Sequence, residues 1–216
     1  MTAEAAFEPL LYADLYKEEL LGQVIPFWLE HSRDPQHGGF FTCLDRYGKV
    51  FDTDKFVWLQ GRQVWFFSKA YNEIEPRAEW LEMALLGAHF LKKHGRDAEG
   101  HWYFSLTREG RPLVQPYNIF SDCFAALAFA ELHKARPEEG WGEIAQATLQ
   151  QILQRRNNWK GSYNKSYPGT RPLKGFALPM ILCNLFLEFE PLLGSEEVAS
   201  FVQPLVEEIL TQFYKP

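Results

Sequence analysis

The stretch KFVWLQGRQVWFFSKAYN, residues 55–72, decides the fold. It carries no proline and one glycine, and apolar side chains fall on every side of a helical wheel, which predicts a helix buried all round. One group is foreign to that setting. Arg62 has Trp58 four residues before it and Trp65 three after, so both indoles share its face at one-turn spacing. A guanidinium so placed is costly to desolvate unless something anionic or strongly polar meets it. Two readings are open: an internal ion pair clamped between two tryptophans by cation–π contact, or an arginine turned toward a polar cavity that holds a ligand.

On the N-terminal side, apolar residues recur at helical spacing from Phe7 to His31 (Leu11, Leu15, Leu21, Ile25, Trp28, Leu29), between Asp14, Lys17, Glu18 and Glu19. That predicts a helix with one wet face. Next, HGGFFTCLDRYGKV (37–50) breaks at Gly38 and Gly39 and alternates toward a turn near Tyr47 and Gly48, the pattern of a short hairpin. On the C-terminal side a second wet-faced helix runs from about Arg77 to His94, followed by EGHWYFSLTREGRPLV (99–114). The two loops overlay at one offset: Gly38 with Gly100, Phe40 with Trp102, Phe41 with Tyr103, Leu44 with Leu106, Arg46 with Arg108, Gly48 with Gly110. This is an internal repeat.

The pattern continues with a mostly apolar helix from Asn118 to Lys134 and a wet-faced one from about Glu139 to Arg156. The loop NNWKGSYNKSYPGTRPLK (157–174), an apolar helix near Gly175 to Glu190 and an amphipathic helix from Glu196 to about Phe213 complete it. The unit is outer helix, loop or hairpin, inner helix. Apolar inner helices need partners on both sides, and stacked pairs curve into a toroid with those helices lining its axis. The expectation is an all-α fold, an α/α toroid of (α/α)6-barrel type with short β-hairpins in its loops, residues 1–216 forming a single domain. About three and a half helical pairs are predicted, which leaves the barrel incomplete. The chain is then the N-terminal half of a longer one, or covers its open edge with another copy.

Aromatics make up 16% of the chain, and they supply stacking faces for sugars and bases. A formal charge of −6 excludes a general nucleic-acid binder. Cys43, Cys123 and Cys183 are far apart and odd in number, the usage of reduced thiols in a cytoplasmic protein. No leader-like N-terminus and no apolar run long enough for a membrane span occurs, so no membrane partner is expected.

In such a toroid the loops entering the inner helices gather at one end. That places Lys55, Trp58 and Arg62 from the first unit around the axial pocket. Gln115, Tyr117, Asn118, Ser121 and Asp122 join them from the second, and Lys174 and Met180 from the third. Helix capping is the alternative for Ser121 and Asp122. Between Gln151 and Leu187 lie Arg155, Arg156, Lys160, Lys165, Arg171 and Lys174, and no acid. With Gly161, Pro168 and Gly169 for close wrapping and Ser162, Ser166 and Thr170 as hydroxyl donors, this loop reads as a cradle for a phosphate-rich anion, or else as a solvated basic loop. The GxxxxGK[ST] spacing is absent, as are HExxH, CxxC, GxSxG and GxGxxG, and none of the six histidines pairs with a carboxylate at a catalytic spacing.

WLQGRQVW (58–65), the Gly38-Gly39-Phe40 hairpin and above all KGSYNKSYPGTRPLKGFALPMIL (160–182) resemble the N-acylglucosamine 2-epimerase family. The resemblance implies an (α/α)6 barrel of cytosolic sugar epimerases, commonly dimeric, of which this chain is the N-terminal half. It implies that Arg62 is the active-site arginine polarising the oxygens at C1 and C2 of the opened sugar, with an amino sugar as substrate. It implies that Lys160, Gly161, Lys165, Gly169, Thr170, Arg171 and Lys174 bind ATP as an activating effector, no cofactor being required for the chemistry. Relatives acting on cellobiose or mannose carry an Asn and a His where this chain has Ala177 and Ile181, which favours the acylglucosamine branch. The implied reaction moves the C2 proton by two histidines of later units, beyond Pro216, while the arginine holds the enediolate. The competing class is a non-catalytic half-barrel that binds sugar or nucleotide and needs a partner chain.

Overall fold

The computed structural model describes residues 9–158 and 174–215. Helix α1 (Pro9–Glu19) passes through a π-turn at Leu20–Val24 into α2 (Ile25–His31). Hairpin β1 (Cys43–Leu44) and β2 (Val50–Asp52), then strand β3 (Lys55–Phe56), lead into α3 (Val57–Lys69), which ends in a second π-turn at Ala70–Ile74. The second unit comprises α4 (Ala78–His94), the hairpin β4 (Ser105–Leu106) and β5 (Pro112–Val114), and α5 (Phe120–Ala135). Helix α6 (Trp141–Arg155), then α7 (Ala177–Glu188), the single turn α8 (Glu190–Leu193) and α9 (Ser195–Gln212) follow. Helices α3, α5 and α7 are the inner helices. α5 is central, packed against α3, α6 and α7.

The sequence repeat is a structural repeat, bond for bond. Cys43 pairs with Asp52 and Leu44 with Val50 in the first hairpin, as Ser105 pairs with Val114 and Leu106 with Pro112 in the second, with a bulge at the same place. The amide of Gly48 donates to the Asp45 carbonyl as that of Gly110 donates to Thr107. Both glycines have φ near +85°, the left-handed region, and a Cβ on either would strike a histidine ring, His31 or His94, at the end of the preceding helix. Phe40 and Trp102 occupy matched positions and are fully buried. The third loop, residues 159–173, lies outside the described residues.

Two devices join the first unit to the second. Strand β3 pairs antiparallel with β4, so the segment entering α3 is hydrogen-bonded to the next unit's hairpin. At Gly61 the backbones of α3 and α5 meet: an added Cβ would lie 2.8 Å from the Phe124 carbonyl oxygen and 3.2 Å from the Ala125 nitrogen. Beyond that contact the core is aromatic, with Trp80, Trp102, Trp141, Phe67 and Phe129 buried, and the Phe129 ring stacked 5.7 Å from Trp141.

Two expectations are corrected. The 55–72 helix is not buried all round: Val57, Gln60, Gly61, Val64, Phe67 and Ser68 face the core, while Arg62 is exposed and Trp58, Trp65 and Phe66 are half-buried on the opposite side. Aromatic residues that wall a cavity have the same composition as residues that fill a core, so the wheel could not separate them. Likewise residues 12–19 of α1 are exposed on every side, Leu15 and Tyr16 included, rather than wet on one face. Among the described residues no helix is long and apolar enough to cross a membrane.

Candidate functional site

The inner helices present matching faces to one another, and two cavities open between them. The first, about 490 Å³, is lined by Arg62 and Trp65 from α3, Phe120, Phe124 and Leu127 from α5, and Ala177, Met180, Ile181 and Asn184 from α7. The second, about 290 Å³, is lined by Trp58, Phe104, Asn118, Phe120, Ser121 and Phe124. Phe120 and Phe124 belong to both walls, so the two form adjoining levels of one axial hollow. Arg62 also borders a third, apolar recess on the side of α2, with Trp28, Leu59 and Phe66.

The ion-pair reading of Arg62 fails, while the cavity it borders is walled mostly by apolar and aromatic side chains rather than polar ones. Its guanidinium carbon sits 5.5 Å from the Phe124 ring centroid, so the cation rests on a phenylalanine of the neighbouring helix rather than between its own tryptophans. Trp58 instead packs at 5.7 Å on the same Phe124 ring. Among the described residues no carboxylate lies within ion-pair distance of Arg62. It is a solvated, unneutralised cation on an aromatic wall, placed to receive an anion or a polarised oxygen.

The other expected residues divide. Met180 shares the larger cavity with Arg62, and Trp58, Asn118 and Ser121 share the smaller. Asn118 also caps α5, its Oδ1 accepting from the Phe120 amide at 3.0 Å. Tyr117 packs edge-on to Phe104 at 4.9 Å, one residue removed from the cavity lining. Lys55 is a correction. It is fully buried, and its Nζ donates to Asp34 Oδ2 at 2.9 Å and to the carbonyls of Gly38 and Arg108. Arg108 grips the same carboxylate with Nε and Nη2, both at 3.0 Å. The lysine is the centre of an inter-unit clasp, not a substrate ligand, because β3 turns its side chain away from the axis.

Asp122 is the second correction. It is buried beneath α6, with Oδ1 accepting from Arg155 Nη1 at 2.9 Å and Oδ2 without a partner. Burial pushes its carboxyl up to about 6 against the opposing pull of Arg155. A folded-state value above the unfolded one means that the native protein holds the extra proton. Stability is therefore expected to fall by about 2–3 kcal/mol as pH rises from 4 to 6. Urea titrations at pH 4, 5, 6 and 7 test this, and Asp122→Asn should flatten that part of the profile.

Lys174, placed both at the axis and in the nucleotide cradle, lies away from the axis. It pairs with Glu208 at 3.0 Å at the border of a cavity of about 640 Å³ between α7 and α9 that also touches Arg156 and Ser200. Lys160, Gly161, Lys165, Gly169, Thr170 and Arg171 fall outside the described residues.

Two features escaped the sequence reading. Asn184 lines the larger cavity but was passed over as an ordinary helix residue; its spacing of four from Met180 and seven from Ala177 was the available signal. Below the cavity the three inner helices are bolted together by charge. Glu188 of α7 accepts from Lys69 of α3 and Lys134 of α5, each at 3.0 Å, while Glu131 accepts from Lys134 at 2.6 Å and from Asn72 at 2.7 Å. Burial and a hydrogen bond with Glu188 raise the Glu131 carboxyl. Glu188 is driven down despite its burial, by hydrogen bonds with Glu131 and the two lysines. This layer fixes the spacing of the helices that carry Arg62, Phe124 and Asn184.

The model of the N-acylglucosamine 2-epimerase (GlcNAc 2-epimerase) family matches residues 39–215. N-acylglucosamine 2-epimerase of Mus musculus is 42% identical over 173 residues, 78% of this chain and 41% of that protein. Among solved structures, a sugar epimerase from a ruminal bacterium superposes with a TM-score of 0.79 at 24% identity, over 95% of this chain and 56% of that one. Cellobiose 2-epimerase from Bacillus thermoamylovorans B4167 gives 0.81 at 17% identity, over 95% and 57%. These neighbours are α/α barrels, and they identify the fold. The chain spans about two fifths of the length of its curated relative and a little over half of the solved barrels. From the extent of the family match and the identity over most of its residues, this chain belongs to the N-acylglucosamine 2-epimerase family.

Proposed function

We propose that the chain forms the arginine-bearing part of a sugar epimerase site that interconverts N-acetylglucosamine and N-acetylmannosamine by removal and return of the C2 proton. One observation carries the reading: Arg62 projects, without a carboxylate partner among the described residues, into a monosaccharide-sized hollow walled by Trp65, Phe120 and Phe124. Apolar and aromatic walls suit the faces of a sugar. A guanidinium there can donate to the C1 oxygen of the enolate that forms as the proton leaves C2, which itself carries the acetamido nitrogen.

The proton carriers are a different matter. Among the described residues no histidine or carboxylate lines either axial cavity. His31 and His94 lie behind Gly48 and Gly110, His89 packs on Trp141, and His101 bonds Asp97. On this reading the acid and base come from the remainder of the barrel. That remainder, or a second copy of the chain, covers the open edge. ATP acts as an effector outside the axis, and Lys174 is the described member of its expected cradle.

The test is exchange at C2. N-acetylmannosamine is incubated in deuterated water with this chain alone and with a barrel that combines it with the C-terminal remainder of a family member. The combined barrel should wash out the C2 proton and produce N-acetylglucosamine, while the chain alone leaves the proton in place. Retention of that proton by the combined barrel overturns the reading.

A further inference from the structure

We infer that Asn184 is the residue that reads the acyl-amide arm of the sugar, an assignment resting on the proposed function above. N-acetylmannosamine differs from mannose by an acetamido group, with one N–H, one carbonyl and one methyl, in place of the C2 hydroxyl. A site that recognises this arm must accept a hydrogen bond, donate one, and provide an apolar seat. The cavity shared with Arg62 has these parts in one place. Of its nine lining residues only Arg62, Trp65 and Asn184 carry a nitrogen or oxygen in the side chain. Arginine and tryptophan donate and cannot accept, and the Trp65 indole nitrogen is itself buried. The helical carbonyls of this wall are engaged along their own helices. Asn184 is therefore the strong acceptor available to a ligand N–H there, and its NH2 supplies the complementary donor.

Its placement fits the role. Asn184 is exposed on the cavity face of α7, and none of the hydrogen bonds or ion pairs among the described residues uses it. One and two turns earlier, Met180 and Ile181, then Ala177, line the same cavity and give an apolar bed beside the carboxamide. One turn later, Glu188 holds the base of α7 to Lys69 and Lys134, so the carboxamide is carried on a helix whose position is fixed against α3 and α5. Arg62, without a lone pair to offer, serves the oxygen at C1, and Asn184 serves the acetamido substituent on C2. The two neighbours on the sugar are thereby read by two helices.

The experiment is a binding titration of this chain, labelled with 15N, against N-acetylmannosamine and against mannose. Wild-type protein is expected to prefer the acetamido sugar, with the Asn184 side-chain amide shifting for that sugar alone and the Arg62 Nε signal shifting for both. Asn184→Leu should lower the preference about tenfold, the worth of one amide hydrogen bond, with mannose binding unchanged. Because the side chain is exposed and unbonded within the protein, this variant keeps its fold. An unchanged preference in Asn184→Leu overturns the inference and leaves the Arg62 site standing. Equal loss of both sugars also overturns it, since Asn184 would then touch the ring. Failure of the wild-type chain to bind either sugar overturns the sugar-site reading itself, and this inference with it.

Discussion

Arg62→Ala, introduced into the combined barrel, is expected to lower C2 exchange by about 10³-fold while the melting temperature stays within a degree or two. The loss follows from what the guanidinium would do. The enolate formed from an acetamido sugar gathers charge on its C1 oxygen, and one lost donor to such an oxyanion costs on the order of 10²–10³ in rate. A charged guanidinium donor belongs toward the top of that range. The unchanged stability follows from the geometry: Arg62 is exposed, pairs with no described carboxylate, and rests only on the Phe124 ring. Arg62→Lys should recover only part of the rate, because an ammonium is a point charge without the planar donor fork of the guanidinium. The measurement is the initial rate of C2 deuterium incorporation alongside a thermal melt. A rate within tenfold of wild type would remove Arg62 from the chemistry.

The largest stability effect belongs to a residue far from the axis. Asp34→Ala should cost about 3–5 kcal/mol, because it leaves the fully buried Lys55 ammonium without its carboxylate and frees Arg108 from its two-point grip. The double variant Asp34→Ala/Lys55→Met removes the stranded charge and should recover at least half of that loss. Denaturant midpoints of wild type, both single variants and the double variant give the coupling. The pH dependence has a definite sign. Burial opposes ionisation of Asp34, but the hydrogen bonds from Arg108 and Lys55 win and hold its carboxyl well below the usual range. The clasp therefore stabilises at every pH above the ordinary aspartate value and weakens as acid protonates Asp34. Equal stability of Asp34→Ala and wild type at pH 7 would show the clasp to be energetically idle.

How much of this was legible in the residues depended on whether the signal was periodic or spatial. The repeat that pairs Gly38 with Gly100 and Gly48 with Gly110 is periodic, and it carried the hairpins, the helix order and the inner–outer alternation. Lys55 and Asp122 failed for one common reason. Both stand near the entrance of an inner helix, but which way such a side chain turns is set by the strand or helix face it occupies. Lys55 points to Asp34 twenty-one residues back and to Arg108 in the next unit, and Asp122 points to Arg155 on an outer helix. No local pattern announces partners at those separations. Asn184 was missed from the opposite direction, since a lone asparagine in CNLF carries no motif. Only the cavity that sets it beside Arg62 gives it meaning.

The pairing of β3 with β4 and the reach of Arg108 back to Asp34 have a consequence for how the chain is made. A nascent polypeptide that has cleared the ribosome only as far as its first hairpin holds Asp34 and Lys55 but lacks the second strand and the arginine that complete their burial. The burial of Lys55 is completed only with the second unit in place, so a pause in synthesis before residue 108 would leave the entrance of α3 unclosed.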